Sequence, residues 1–246
     1  MKTAIIYSCF LYNQWDDIVK NQLDRLKSSD YYLSGGEIHI VALGLPNQLI
    51  LLKLICGKYE RIKINFFTNL KYPVEGYGFQ YMYNLCLQGY DYVGFVHSKG
   101  VSKHRNVPIT NWRKCMEYFV IDHALNAIEI LNETNFNCFG VLFDIFDLTK
   151  EFKINNDLIE KHRVFIFPGN FFWIKSKWFI TMPEPPLTTD RFFYERYLGC
   201  FEDVMPCYPF IKKYQDTGPQ VTYHEPVFEE EYINLDIQKY AEFYHE

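Results

Sequence analysis

Between Tyr92 and Met116 the chain carries no Asp or Glu, while Lys99, Lys103, Arg105, Arg113 and Lys114 are basic and His97 and His104 can become so. Cationic donors gathered in this way suit a diphosphate, whose charge must be met either by a metal or by side chains. The apolar run at residues 92–96 reads as a buried central strand, and its end delivers His97-Ser98-Lys99-Gly100. Ligands of open α/β sheets bind outside the carboxyl ends of the strands. His97 and Lys99 therefore stand at a privileged place. A solvated basic loop is the competing reading of the same charges.

Other residues further along could complete a site. Gly169-Asn170 interrupts an apolar stretch where a backbone must approach something closely, and Asn170 offers both donor and acceptor groups to a hydroxyl. Trp173 can stack on a sugar ring or fill the core. An attacking hydroxyl needs a carboxylate to take its proton. Asp144, at the end of an apolar strand at 138–143, is one candidate, and Asp190, Glu195 and Glu202 lie in or near an aromatic-rich segment.

The elements that position these residues alternate strand and helix, which is the pattern of a sheet built from βαβ units. Strands are expected at residues 3–9, 37–43, 61–68, 92–96 and 138–143. Apolar spacing predicts helices at 15–26, 47–56 and 109–131, with another opening at Gly76-Tyr77-Gly78 and running to about Gln88. Residues 164–174 read as a strand or bent hairpin broken at Pro168-Gly169-Asn170. Pro183, Pro185 and Pro186 then precede a Thr-capped helix at 189–198. The fold class is α/β, a mostly parallel central sheet flanked by helices in one domain at 1–224, with an acidic segment at 225–246.

Four motifs in order resemble the GT-A glycosyltransferases, and among them a group that carries His-Ser/Thr-Lys-Gly where most members have a metal-binding Asp-x-Asp. They are His97-Ser98-Lys99-Gly100, Trp112-Arg113, Gly169-Asn170-Phe171-Phe172-Trp173, and the aromatic segment 191–199 with Glu195. The resemblance covers residues 3–199. It implies a Rossmann-like GT-A fold and transfer from a nucleotide-diphosphate sugar to a glycan acceptor, with inversion, in glycan or polysaccharide assembly of a bacterium or large virus. By the same resemblance Glu195 is the general base, with Asp144 the alternative. His97, Lys99, Lys103, Arg105 and Arg113 would hold the diphosphate. Ser8, Tyr12, Asn69 and Lys71 would meet base or ribose, with Tyr81 and Asn84 on the preceding helix; Asn170 and Trp173 would face the acceptor. His-Ser-Lys is a poor site for a hard cation that prefers oxygen ligands, so no metal and no other cofactor is expected.

Composition narrows the alternatives. Residues 225–246 hold seven acids against Lys239 alone, and without them the net charge moves from -5 to +1. A nearly neutral body argues against a nucleic-acid partner. The seven cysteines are scattered, with no C-x-x-C pair, as expected of reduced thiols in the cytoplasm. No apolar run reaches the length of a membrane span, which points to a soluble protein and leaves peripheral membrane contact open; oligomeric state is not encoded legibly. A nucleotidyltransferase is disfavoured because Ser8-Cys9-Phe10-Leu11-Tyr12 is not glycine-rich and basic. A non-catalytic nucleotide- or glycan-binding module is the remaining alternative.

Overall fold

Strand β1 (Thr3–Phe10) sends Ile5, Tyr7 and Cys9 to one face and Ala4 and Ile6 to the other, and all five are fully buried. A strand apolar on both faces must lie inside a sheet covered on both sides. In a computed structural model of the chain it does. The structure describes residues 1–13, 15–70, 75–99, 101, 107–141, 144–147, 152–154, 157–159, 163–190, 192–201, 204–209 and 237–239.

The first layer follows from β1 onward. Helix α1 (Trp15–Ser28) opens on Asp16 and Asp17 and closes on Arg25 and Lys27, charges that complement the helix dipole. It buries Trp15, Ile18, Val19, Leu23 and Leu26 at helical spacing. A short α2 (Asp30–Leu33) leads to β2 (Glu37–Leu43), α3 (Pro46–Cys56) and β3 (Ile62–Thr68). Helix α4 (Gly76–Leu87) then crosses to the opposite face and delivers β4 (Tyr92–His97). Gly78 permits this crossing, because a Cβ there would lie 2.8 Å from Phe95 and 3.2 Å from the Ser8 Cβ.

Strands β1, β2, β3 and β4 pair in parallel in the order β3-β2-β1-β4. The order reverses between β1 and β4. α1, α2 and α3 pack on one face and α4 on the other, so a topological switch point lies between the ends of β1 and β4.

The stretch expected as one helix at 109–131 is α5 (Val107–Glu117), a π turn at Tyr118–Asp122, and α6 (Ala124–Glu133). The wider turn follows tertiary contacts that periodicity does not carry. Arg25 reaches both Glu117 and Asp122 from α1, and Trp173 Nε1 donates to Val120 O at 2.9 Å.

Strand β5 (Cys138–Gly140) is shorter than expected. β6 (Asp144–Asp147), β7 (Phe152–Ile154), β8 (Asp157–Ile159) and β9 (Arg163–Ile166) form two small sheets, β6 with β9 and β7 with β8. β10 (Phe172–Lys175) returns to the main sheet, antiparallel between β4 and β5. The chain therefore changes sheets at Pro168-Gly169-Asn170.

A short α7 (Ser176–Phe179) follows. The Thr-capped helix expected at 189–198 starts later, as α8 (Phe193–Tyr197), and runs into a 3-10 turn at Leu198–Cys200. Asp190 rather than Thr189 organises its entry, accepting from Phe192 N at 2.9 Å. β11 (Pro206–Pro209) joins β5, and β12 (Ile237–Lys239), from the acidic segment, joins β11. Among the described residues the result is a mixed sheet of eight strands flanked by helices. Among the described residues no helix is long and apolar enough to cross a membrane.

Candidate functional site

At the switch point the His97-Ser98-Lys99 loop is fastened by its backbone. Ser98 N donates to Ser8 O at 3.0 Å, and Phe10 N donates to Ser98 Oγ at 2.8 Å, so the serine side chain continues the β1–β4 ladder. Gln22 Nε2 donates to His97 O at 3.2 Å and is itself held by the Tyr7 hydroxyl, which donates to Gln22 Oε1 at 2.6 Å. Lys99 N donates back to His97 O at 2.7 Å, a three-residue turn that swings Lys99 out of the sheet. Its ammonium lies 3.9 Å above the Trp112 ring.

The second motif locks this turn from behind. Arg113 Nη1 donates to Lys99 O at 3.1 Å, and its Nε stands 3.3 Å from Glu117 Oε1. Glu117 is buried and also faces Arg25. Burial pushes its carboxyl pKa up while the two guanidinium groups pull it down, and the net shift is upward. Arg113 is thus occupied in bracing the loop.

The third motif brings the opposite wall. Asn170 N donates to Phe167 O at 2.9 Å, closing a turn with Pro168 second and Gly169 third at φ 94°, the pattern of a type II turn. A Cβ on Gly169 would strike Met116 Sδ at 2.7 Å and approach Trp112 at 3.3 Å. Asn170 is itself left-handed at φ 51° and buried, an unusual state for a non-glycine residue. The turn aims Gly169 O at His97 Nε2, 2.6 Å away.

A carbonyl can only accept, so Nε2 carries the proton. Burial, assisted by the Lys99 ammonium, pushes the His97 pKa down to about 3. The imidazole is therefore neutral, and its Nδ1 presents a lone pair. That lone pair faces Glu75 Oε1 at 3.7 Å, while Asn170 Nδ2 donates to the other carboxylate oxygen.

The neutral state has a consequence for acid stability. The unfolded histidine titrates near 6.5, above its folded value. Below about pH 6.5 the unfolded chain takes up a proton that the fold refuses, so stability present at neutral pH is lost as pH falls toward about 3. The His97 share of this loss approaches about 1.4 kcal/mol per pH unit. Urea unfolding at pH 7, 6 and 5 should show a shallower decline for His97→Gln than for the parent. Parallel declines would mean that His97 is already charged in the fold.

Glu75 is the functional candidate that sequence reasoning misses. It directly precedes Gly76, at the N-terminus of α4, where the helix dipole favours a negative charge. Its side chain is 16% exposed. The available signal was a lone acid immediately before a helix that starts at the carboxyl end of the sheet. Gln22, a buried polar residue within the apolar stripe of α1, is a second residue of this kind.

The other expected residues lie at several places on the fold. Ser8 is buried at the end of β1; Tyr12 is exposed and stacks on Phe10 with ring centroids 5.5 Å apart; Asn69 is exposed just past β3. Glu195 is half-buried on α8, next to Tyr194, whose ring packs 5.1 Å from Phe79.

Trp173 is not at an acceptor surface. It is fully buried beneath Gly94, edge-on to Tyr31, on the face of the sheet that carries α1 and α2. The alternation of β10 turns Phe172 to the α4 face and Trp173 away from it. Tyr81 lies lower on α4, with its hydroxyl 2.9 Å from His39 Nδ1. Asn84 is exposed on the same helix, nine residues from Glu75 and hence roughly 13 Å along the axis. Lys71, Lys103, Arg105 and the Asp144 side chain lie outside the described residues.

At the His97 imidazole the described residues place the Glu75 carboxylate, bonded by Asn170, and the Lys99 ammonium. Among the described residues no three of His, Cys, Asp and Glu converge. Glu75, His97 and Lys99 by themselves are not the oxygen-rich set that a hard divalent cation prefers.

No family model matches the chain, and no curated protein matches it in sequence. Among solved structures it is similar to 4-diphosphocytidyl-2C-methyl-D-erythritol synthase from Anaerococcus prevotii, at 12% identity and TM-score 0.44 over 94% of this chain and 92% of that one. It is similar to S. aureus TarS at 13% identity and TM-score 0.43, over 81% of this chain and 56% of that one. A cytidylyltransferase from Leptospira borgpetersenii follows at 11% identity and TM-score 0.39, over 80% and 68%. At these identities and TM-scores the likenesses assign no activity to the chain.

Proposed function

We propose that the chain is a glycosyltransferase that moves a sugar from a nucleotide-diphosphate donor to a glycan hydroxyl, with inversion and without a divalent metal. One observation carries this reading: at the switch point of the sheet, Trp112-Arg113 and Gly169-Asn170 meet at the His97-Ser98-Lys99 loop, and Glu75 lies against His97 and Asn170. Residues separated by more than seventy positions converge there on a ligand-binding place of the fold.

In this reading the acceptor hydroxyl lies at the junction of Glu75 and His97. Both His97 Nδ1 and Glu75 Oε1 are acceptors, so the junction suits a group that donates a hydrogen bond. As the hydroxyl oxygen attacks the anomeric carbon, its proton passes to the Glu75 carboxylate. The bond from that carbon to the donor phosphate breaks, and the leaving diphosphate carries the negative charge. Lys99 meets that charge, in the role a metal would otherwise fill. Glu195, one residue from Tyr194, is the second carboxylate to which the same proton could be assigned. Tyr12 and Asn69 border the place of the base and ribose.

A thermal-shift panel of UDP, GDP, dTDP and CMP, each with and without Mn²⁺, tests the reading together with turnover of the matching nucleotide sugars in EDTA. A nucleoside diphosphate that raises Tm equally with and without Mn²⁺, and whose sugar is transferred or slowly hydrolysed in EDTA, is the expected result. Binding with neither transfer nor hydrolysis would instead leave a nucleotide-binding module, and strict dependence on Mn²⁺ would overturn the metal-free mechanism.

A further inference from the structure

Helix α3 buries little of its apolar surface. Leu52 and Cys56 reach the core, whereas Leu45, Ile50, Leu51 and Leu54 are exposed, Ile50 at 64% and Leu54 at 67%. Large apolar side chains clustered on one helix mark a surface that something covers. From Gly44 to Tyr59 the charged residues have one sign, and Glu60 is the first acid after them. Lys53 and Lys58 are exposed, and there is no acid from Gly44 to Tyr59, although the chain as a whole is acidic at -5.

We propose that α3 is a membrane-docking helix that lies on an anionic bilayer surface. Eleven residues span roughly 16 Å, too short to cross a hydrocarbon core of about 30 Å. A short helix with exposed aliphatic residues and flanking lysines is suited to lying in the interface, its apolar side among the acyl chains and its ammonium groups at the headgroups. A second copy is the poorer occupant. Across a two-fold contact the same patch meets itself, which gathers Lys53 and Lys58 with their own counterparts and no acid of α3 to offset them.

The position of the face gives docking a use. Leu45 starts α3 at the carboxyl end of β2, and exposed Leu70 lies just past β3; Gly44 N donates to Thr68 O at 3.0 Å between them. The patch thus reaches the same end of the sheet as His97, two strands away from it, about 10 Å at ordinary strand spacing. Docking through α3 would bring the mouth to the membrane surface, where a lipid-borne acceptor hydroxyl would be presented. The docking itself does not depend on the transferase reading.

Sedimentation of the full chain with vesicles separates the cases. The protein is expected to pellet with an equal mixture of phosphatidylglycerol and phosphatidylcholine, to stay in solution with phosphatidylcholine alone, and to be released by raised salt. Ile50→Ser combined with Leu54→Ser should weaken binding about tenfold or more, and Lys53→Glu with Lys58→Glu should abolish the preference for the anionic mixture. All four side chains are exposed, so Tm should stay within a degree or so of the parent. The proposal is overturned by failure to pellet with the anionic mixture, or by binding that both double variants leave unchanged. It is also overturned if light scattering shows a concentration-dependent dimer that Ile50→Ser with Leu54→Ser disperses, which would assign the face to a second copy.

Discussion

Glu75→Gln is expected to lower kcat by about 10²- to 10⁴-fold, the range that a positioned general base contributes, with little change in donor KM. The substitution keeps the shape and still accepts from Asn170 Nδ2, so the left-handed turn at Gly169-Asn170 stays seated. What disappears is a carboxylate able to take a proton beside His97 Nδ1. A merely structural Glu75 predicts a different pattern, in which Gln keeps the Asn170 bond and turnover is near normal. Glu195→Gln, measured in parallel, apportions the role. Loss of activity in Glu195→Gln alone, with Glu75→Gln active, would move the base to α8 and leave Glu75 as a brace for Asn170. The pH profile gives a second readout, because the acidic limb of kcat should report the carboxylate that is lost.

The parallel half of the sheet is legible in the sequence because each strand is a short apolar run set apart from its neighbours by a helix of distinct period. The mouth is legible for the same reason: a buried strand must end somewhere, and this one ends on His97. What the sequence hides are the partners. The acid-free window that makes Arg113 look available stops one residue short of Glu117, and that acid sits one helical turn from Arg113 and takes it. The long helix is divided by a π turn that Arg25 and Trp173, from α1 and β10, bond to. Trp173 belongs to the core by the alternation of a strand whose sheet neighbours, β4 and β5, are distant in sequence. Glu75 carries no motif at all. Its meaning comes from Asn170, 95 residues later, and from the backbone turn that brings Asn170 back.

Lys99→Met is expected to reduce kcat/KM by about 10²- to 10³-fold, comparable to removing one preorganised donor from a developing negative charge. The ammonium lies over Trp112, a contact that contributes about 0.5–1 kcal/mol at a partly exposed site. A lysine that serves only as a brace would therefore lose about that much stability and nothing else. A lysine that meets the diphosphate loses nucleotide affinity as well, more for a nucleoside diphosphate than for the uncharged nucleoside, because the lost interaction is with phosphate charge. Calorimetric titration of both ligands into parent and variant distinguishes the two. Lys99→Arg should recover part of the diphosphate affinity, since the guanidinium keeps the charge and can still lie on the indole. Mn²⁺ should not restore Lys99→Met, because Glu75 is held by Asn170 and is a single carboxylate where a hard cation prefers several oxygen ligands. Full rescue by Mn²⁺ would show that the loop accepts a metal once its own cation is removed, and the substitution of lysine for metal would then be a matter of preference and not of ligand chemistry.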